Sequence, residues 1–373
     1  MQFNDLGAQQ ARLKPKLDRR IADVLAHGVY IMGPEVVELE QQLSAFCAAK
    51  HVVTCANGTD ALQLCLMTLE IGEGDAVFVP SFTFAATAEV APLVGATPVL
   101  VDCDPVSFTL DPVSFERSIE SAVAAGLRPA CVIAVDLFGQ PADYDDIGEV
   151  AQTFDMHVIS DCAQGFGSTY RGQKAGRFAR MSTTSFFPAK PLGCYGDGGA
   201  IFCEDDSFAE KLRSLRVHGK GTHKYANQQI GLNSRLDTLQ AAILCEKLAV
   251  FGEELEKRAA IAGRYTSALA QYVNTPQLKA ERSSSWAQYT ITLECAEQRN
   301  RVQAALANRE IPTQIYYPTP LHMQPAYCMY PSDPDGLAVS ERLAQTVLSL
   351  PMHPYLQEVE QDRVIEAVKD YVT

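Results

Sequence analysis

No uninterrupted apolar run in the 373 residues approaches the ~18 that a membrane-spanning helix needs, so a soluble chain with no membrane partner is expected. The stretch from Met1 to Arg20 is polar, carries Asp5 and Asp18, and lacks the apolar segment of a secretion signal, which points to a cytoplasmic location. Positive charge is in deficit: 31 Lys and Arg stand against 45 Asp and Glu, a formal net charge of −14. A nucleic-acid binder would need a basic stripe, and none is visible. The 11 cysteines form neither C-x-x-C pairs nor zinc spacing. Their odd number and their scatter through apolar segments (Cys55, Cys65, Cys131, Cys162, Cys203, Cys245) read as reduced thiols acting as small buried hydrophobes, with no metal site. Internal repeats and low-complexity segments are also missing, and Pro331 to Gly336 reads as a turn-rich loop.

What is present is ordinary globular composition, 47% hydrophobic and 20% charged. For this mass, surface scaling gives about 14,600 Å² accessible when folded against about 59,000 Å² unfolded, enough burial for a large core. From His51 to about Phe202 short apolar runs alternate with helical patterns, the signature of an α/β fold built on a mostly parallel sheet. Strands are predicted at 51–55, 76–79, 98–102, 130–135, 157–160, 182–186 and 199–203. The intervening helices are predicted at 59–69, 83–94, 112–124 and 144–154. Upstream lie a helix near 9–27 and a second one opened by Pro34. Downstream, 236 to about 272 is one long Pro-free helical pattern. Beyond it a smaller C-terminal α+β unit is expected, with strands at 287–293 and 312–317, a helix near 297–308 and two closing helices. The division is placed at residues 1–250, an N-terminal arm with the large cofactor-binding domain, and 251–373, the small domain.

In open α/β sheets ligands sit beyond the carboxyl ends of the strands. After the first strand, Asn57-Gly-Thr-Asp60 opens a helix and offers free N–H groups and a hydroxyl to an anion, although a simple cap and turn would read alike. Pro80-Ser-Phe-Thr-Phe84 places an aromatic at the same rim; taken singly, Phe84 reads as core. The strand 157–160 ends in Asp161-Cys-Ala-Gln164. The next strand delivers Lys190 and a Gly-rich loop, Gly193 to Gly199. Anion site, carboxylate, aromatic and lysine together suit pyridoxal 5'-phosphate, whose chemistry needs a lysine Schiff base and an Asp facing the pyridinium nitrogen.

The runs Asn57-Gly-Thr-Asp-Ala-Leu62, Pro80-Ser-Phe-Thr-Phe-Ala-Ala-Thr87, Asp161-Cys-Ala-Gln164, Ser185-Phe-Phe-Pro-Ala-Lys190, Gly196-Asp-Gly-Gly199 and Asn233-Ser-Arg-Leu-Asp237 resemble the DegT/StrS nucleotide-sugar aminotransferases. The resemblance covers nearly the whole chain, from Asp5-Leu6 to Leu350-Pro-Met-His-Pro354. It implies the fold-type-I, aspartate-aminotransferase-like architecture and a cytoplasmic homodimer with shared active sites. It also implies Lys190 as the Schiff-base lysine, Asp161 as the pyridinium partner, Gln164 beside the ring hydroxyl and Phe84 stacked on the ring. Gly58, Thr59 and Ser185 match the phosphate contacts within a subunit, and Asn233 the contact to the partner subunit's cofactor. The implied chemistry moves nitrogen from an amino acid, in this family usually L-glutamate, to a keto sugar. A sister branch carries histidine at the lysine position and dehydrates instead, so Lys190 argues for transamination.

Within the family, Phe186 to Gly199, Gly231 to Ile243 and Ser349 to Tyr355 resemble members acting on UDP-2-acetamido-2-deoxy-3-oxo-D-glucuronate for bacterial O-antigen and lipopolysaccharide synthesis. The alternative is a dTDP- or UDP-linked 3- or 4-keto-6-deoxy hexose. For the carboxylate and diphosphate of such a sugar, Arg235, Tyr317, His322 and the segment Arg216 to Tyr225 offer charge and donors, although Lys220 and Lys224 read equally as solvated loop charges. The loop from Arg216 to Asn233 is expected to close over substrate. One departure is Tyr316 in Tyr316-Tyr317-Pro318, where the family commonly has histidine; a phenol has no cationic form near neutrality.

Overall fold

A computed structural model describes residues 1–221, 223 and 225–372. From the N-terminus the elements are α1 (Leu6–His27), α2 (Pro34–Cys47), β1 (His51–Cys55), α3 (Gly58–Thr68), β2 (Asp75–Pro80), α4 (Ala86–Leu93), β3 (Thr97–Val101) and α5 (Pro112–Ala124). There follow β4 (Arg128–Val135), α6 (Tyr144–Thr153), β5 (His157–Asp161), β6 (Thr169–Tyr170), β7 (Gln173–Lys174), β8 (Met181–Ser185), β9 (Gly199–Cys203), α7 (Asp206–Leu215) and α8 (Thr238–Leu269). The C-terminal part holds β10 (Arg282–Ser283), β11 (Tyr289–Thr292), α9 (Ala296–Asn308), α10 (Ala338–Thr346), β12 (Val347–Leu350) and α11 (Glu358–Val372).

Seven strands form the central sheet in the order β1-β9-β8-β5-β4-β2-β3. β9 runs against both neighbours, and the remaining pairs are parallel. Helices cover both faces, which is why the strands read as continuous apolar runs rather than alternations. Along β2 and β4, Val77, Val79, Cys131 and Ile133 enter one core, while Ala76, Phe78, Val132 and Ala134 enter the other. The accessible surface, 15,336 Å², is close to the expectation from mass.

α8, 32 residues and roughly 48 Å long, takes part in two cores. Its first half packs with α2 through Ala241, Leu244, Cys245 and Phe251. Its second half, Ile261 to Leu269, joins β11, β12, α9 and α11 in a separate smaller core. Phe251 stacks on Phe166 at 5.8 Å and lies 5.6 Å from Phe46.

Two expectations are corrected, and a third, the turn-rich loop from Pro331, is extended. Residues 312–317 are not a strand: only Gln314 makes a bridge, to Ser349, and the partner of β11 is β12. The segment after Pro331 is no free loop. Its backbone runs beside β3, with Leu100 N–H bonded to Pro331 C=O at 2.8 Å and Asp333 N–H to Leu100 C=O at 3.0 Å. The buried Asp333 carboxylate also accepts from Ser114 and Arg117. Helix α4 begins at Ala86, which leaves Phe82 to Ala85 as a rim segment. All 11 cysteines are unpaired, nine of them buried. Among the described residues no helix is long and apolar enough to cross a membrane.

Phe251→Ala removes a fully buried ring that both α2 and the sheet rest on. It is expected to cost about 3–5 kcal/mol in chemical denaturation, and a loss below about 1 kcal/mol would show that the site collapses around the gap.

Candidate active site

The carboxyl ends of β1, β2, β5 and β8 meet on one edge of the sheet, and the register fixes their mutual positions. Asp161 closes β5 opposite Thr183, and Ser185 closes β8 opposite Gly199, which in turn faces Cys55 at the end of β1. Two glycines permit this convergence. A Cβ on Gly199 would lie 2.4 Å from the Asn57 carbonyl oxygen, and one on Gly58 would lie 2.8 Å from Ser185 Cβ. The start of α3 is therefore drawn hard against Ser185. Asn57 caps α3 by accepting the Asp60 N–H at 2.8 Å, leaving the N–H groups of Gly58 and Thr59 at the positive end of the helix dipole. Such an arrangement could cradle an anion, with Ser185 on its wall.

Beside the cradle lie Asp161 and Lys190. Asp161 is 7% exposed. Burial raises the pKa of its carboxyl, opposed by the Ala163 N–H at 3.0 Å, the Lys190 charge and the Thr87 hydroxyl. Lys190 follows β8 in a turn closed by its own N–H on the Phe187 carbonyl, 2.9 Å away. Burial lowers its pKa, and Asp161 pulls the other way. A desolvated amine facing a desolvated carboxylate is poised for chemistry rather than for stability. Above them Phe84 is 56% exposed, so it is a rim residue and not core. Its ring lies 6.4 Å from that of Tyr317. Gln164 is held at both ends of its amide: Oε1 accepts the Phe138 N–H at 2.7 Å, and Nε2 donates to the Tyr317 hydroxyl at 3.1 Å. The donor set, an anion cradle, a carboxylate, a lysine and an aromatic, has the chemistry that pyridoxal phosphate requires.

The remaining expected residues divide. Tyr317 sits with the group just described, edge-on to Phe82 at 6.1 Å, and burial pushes its phenol pKa up. Tyr316 is half-buried between Phe3 and Tyr317, its pKa also raised by burial. His322 uses both ring nitrogens on the protein: Nδ1 pairs with Ser81 Oγ at 2.8 Å and Nε2 with Glu341 at 3.2 Å. Arg235 is half-buried and has no ion pair among the described residues. Asn233 is exposed, its backbone bridges to Val217, and its side chain makes no hydrogen bond among the described residues. Arg216, expected among the charges for substrate, is instead a structural pin. It is 5% exposed and its Nη1 donates to Glu40 at 2.7 Å and to the Thr54 carbonyl at 2.8 Å. Lys220 is exposed, and Lys224 lies outside the described residues.

The sequence profile of the DegT/DnrJ/EryC1/StrS aminotransferase family matches residues 12–369. The chain belongs to this aminotransferase family. It is 46% identical over 357 residues, 95% of this chain and 96% of the other, to the UDP-2-acetamido-2-deoxy-3-oxo-D-glucuronate aminotransferase of Pseudomonas aeruginosa. A crystal structure of a DegT/DnrJ/EryC1/StrS aminotransferase from Brucella abortus superposes with a TM-score of 0.97 at 50% identity, covering 100% of this chain and 99% of that one. NtdA of Bacillus subtilis, solved with its cofactor pyridoxamine phosphate bound, gives 0.87 at 29% identity, covering 96% and 81%.

One feature of this aminotransferase escaped the sequence reading. Asp136 directly follows β4, its N–H bonded to the Asp161 carbonyl at 3.0 Å. The carboxyl is fully buried, accepting from Tyr144 O–H at 2.6 Å and from Ala142 N–H at 2.9 Å, while Oδ2 is unpartnered. Tyr144 in turn meets Ser160 at 2.6 Å, and Ser160 meets Cys162 at 3.0 Å. A Cβ on Gly165 would strike Asp136, so the turn beyond Asp161 rests on this carboxyl. Its signal was present, an acidic residue closing an apolar strand, but no ligand-facing pattern accompanied it.

Burial raises the Asp136 pKa from 3.8 to about 7, against the pull of Tyr144 and Ala142. A raised carboxyl contributes stability that is fully present below the unfolded value, about pH 4, and is lost as pH climbs to 7. Asp136→Asn cannot ionise. It is expected to match wild type in urea unfolding at pH 4 and to exceed it by up to about 4 kcal/mol at pH 8; a gap that does not change with pH would refute the assignment.

Proposed function

We propose that the protein is a pyridoxal-phosphate-dependent aminotransferase that moves the amino group of L-glutamate onto carbon 3 of UDP-2-acetamido-2-deoxy-3-oxo-D-glucuronate, for bacterial surface polysaccharide synthesis. One observation carries the reading: a buried carboxylate and a desolvated lysine act on each other beside a helix N-terminus that Gly58 lets pack closely on Ser185. The 46% identity to the Pseudomonas aeruginosa enzyme supports the choice of sugar.

The cofactor, when bound, supplies an electron sink for the carbanion at the substrate carbon. The chain supplies the rest. Gly58, Thr59 and Ser185 hold the phosphate, and exposed Asn233 is free to reach the cofactor of a partner subunit in a homodimer. Asp161, held in low dielectric, would offer its carboxylate to a cationic ring nitrogen. Phe84 would lie against the ring, and the Gln164 amide would be at hand for its polar substituents. Lys190 would anchor the cofactor through its amine and, once released, would serve as the acid–base group that moves the proton at the substrate carbon; burial lowers its pKa, which favours the neutral amine. L-glutamate leaves as its 2-oxo acid, and the keto sugar then takes the nitrogen. Arg235, Tyr316, Tyr317 and His322 form the sugar side, with Ser81 and Glu341 fixing the imidazole. We place the enzyme in the cytoplasm, in two units of residues 1–250 and 251–373 that share α8.

The test is an absorbance titration of the purified protein. Wild type is expected to show a cofactor band that L-glutamate bleaches and that the UDP-linked 3-oxo uronate restores, while dTDP-linked 3- or 4-keto-6-deoxy hexoses do not. Restoration only by a dTDP sugar would overturn the substrate, and no band with added cofactor would overturn the chemistry. Lys190→Ala is expected to lower turnover by about 10²–10⁴-fold. Gly58→Ala presses a methyl group on Ser185 Cβ. Its cofactor dissociation constant is expected to rise about tenfold or more in equilibrium titration, a loss of some 1.4 kcal/mol; wild-type affinity would show that the cradle yields.

A further inference from the structure

A lysine with 1% of its surface exposed is rare, because its ammonium forgoes hydration. Lys247, in the middle of α8, is such a residue, and its position explains its burial. The ammonium donates a short hydrogen bond to the Gly193 carbonyl and lies 4.8 Å from the centre of the Tyr195 ring. Gly193 and Tyr195 belong to the loop that presents Lys190, three and five residues further on. Two turns earlier on the same helix, Gln240 accepts the Tyr195 N–H at 2.9 Å. The helix therefore grips this loop at two nearby points.

The loop itself is folded back tightly. A Cβ on Gly193 would lie 2.5 Å from the carbonyl oxygens of Phe187 and Pro188, and the Cys194 N–H bonds to the Phe186 carbonyl at 2.8 Å. What holds the Gly193 carbonyl thus holds the turn from Phe187 to Lys190. On the far side Asn4 Nδ2 donates to the Ala189 carbonyl at 3.3 Å. The charge of Lys247 is balanced on its own helix face. Glu254, 2% exposed, is held by Gln9 at 2.8 Å and by the Tyr355 hydroxyl at 2.5 Å. Arg258, one turn on, donates to the carbonyls of Trp286 and Met352.

We infer that Lys247 is a positioning residue for Lys190: by clamping the Gly193 carbonyl it fixes the backbone from which the active-site amine projects, and through Glu254 it ties that loop to the N-terminal arm and the C-terminal core. The inference rests on the role proposed above for Lys190. Geometry of this kind matters because a proton shuttle misplaced by about 1 Å can lose on the order of 10²-fold in rate. Burial brings the Lys247 pKa down to about 8, partly offset by Glu254, so the ammonium form prevails at neutral pH.

The test compares wild type, Lys247→Met and Lys247→Arg, full length, by hydrogen exchange without cofactor and by steady-state kinetics with it. Lys247→Met is expected to raise exchange of the amides from Phe187 to Gly196 about tenfold or more, with β8 and β9 unchanged. Its kcat is expected to fall about 10–100-fold while KM for L-glutamate stays within about threefold, and Lys247→Arg, which keeps a charged donor, should recover most of both. Unchanged loop exchange in folded Lys247→Met overturns the inference, as does a general loss of protection with no effect centred on the loop. If Lys247→Met does not fold, Glu254→Gln, which withdraws the countercharge and can keep the acceptor for Tyr355 and Gln9 at Oε1 while giving up the one at Oε2, should raise loop exchange several-fold, and no change there overturns it equally. A loop response in a wild type that transaminates nothing would leave the clamp standing and sink the aminotransferase reading instead.

Discussion

The arrangement turns on one unfavourable fact, a carboxylate buried at the end of a central strand. Asp161 lies almost out of reach of water, and the groups that compensate it, the Ala163 N–H, the Thr87 hydroxyl and the Lys190 charge, come from the segments that follow β5, β2 and β8. The sheet order sets β8 beside β5 and puts β2 one strand further, past β4, and the close packing of Gly58 and Gly199 fixes the start of α3 at the same edge. A cationic ring nitrogen, as proposed for the cofactor, would relieve the cost of burying the carboxylate. Asp136 beneath adds a second buried carboxyl, and its raised pKa keeps negative charge from accumulating under Asp161.

Much of this was legible in the sequence because parallel strands covered on both faces leave continuous apolar runs, and a polar residue that ends such a run stands out. Lys190, Asp161 and Asn57 announced themselves in that way. Phe84 did not, since an aromatic after a strand reads as core unless the start of the next helix is known; here α4 begins two residues later and leaves the ring outside. The C-terminal part was harder. The strand β12 (Val347–Leu350) follows α10 directly, with no turn residues to mark its start, and went unanticipated, whereas 312–317, expected as a strand, is not one. Two-residue strands such as β6, β7 and β10 are too short to show any period.

Charge was the least readable property. Arg216 and Lys247 look like ordinary helix and loop cations, and both prove to be buried. Each secures a segment of backbone near the site, Arg216 at the root of the loop that leads to Asn233 and Lys247 beneath the loop of Lys190. Sequence spacing carries no trace of this, because the partner in each case is a carbonyl oxygen far along the chain. Cations that bind substrate and cations that hold the fold use the same residue types, and only burial separates them.

The pairing of Pro331 to Asp333 along β3 has a consequence for the order in which the molecule is completed. An outer strand with unpaired N–H and C=O groups invites pairing with another chain, and here the covering segment comes from the same chain, more than 200 residues further on. On the ribosome, roughly nine-tenths of the sequence, 333 of 373 residues, has been made before that edge can be sealed. The nascent chain therefore carries a sticky border for most of its synthesis, and a product truncated before Pro331 would keep one permanently.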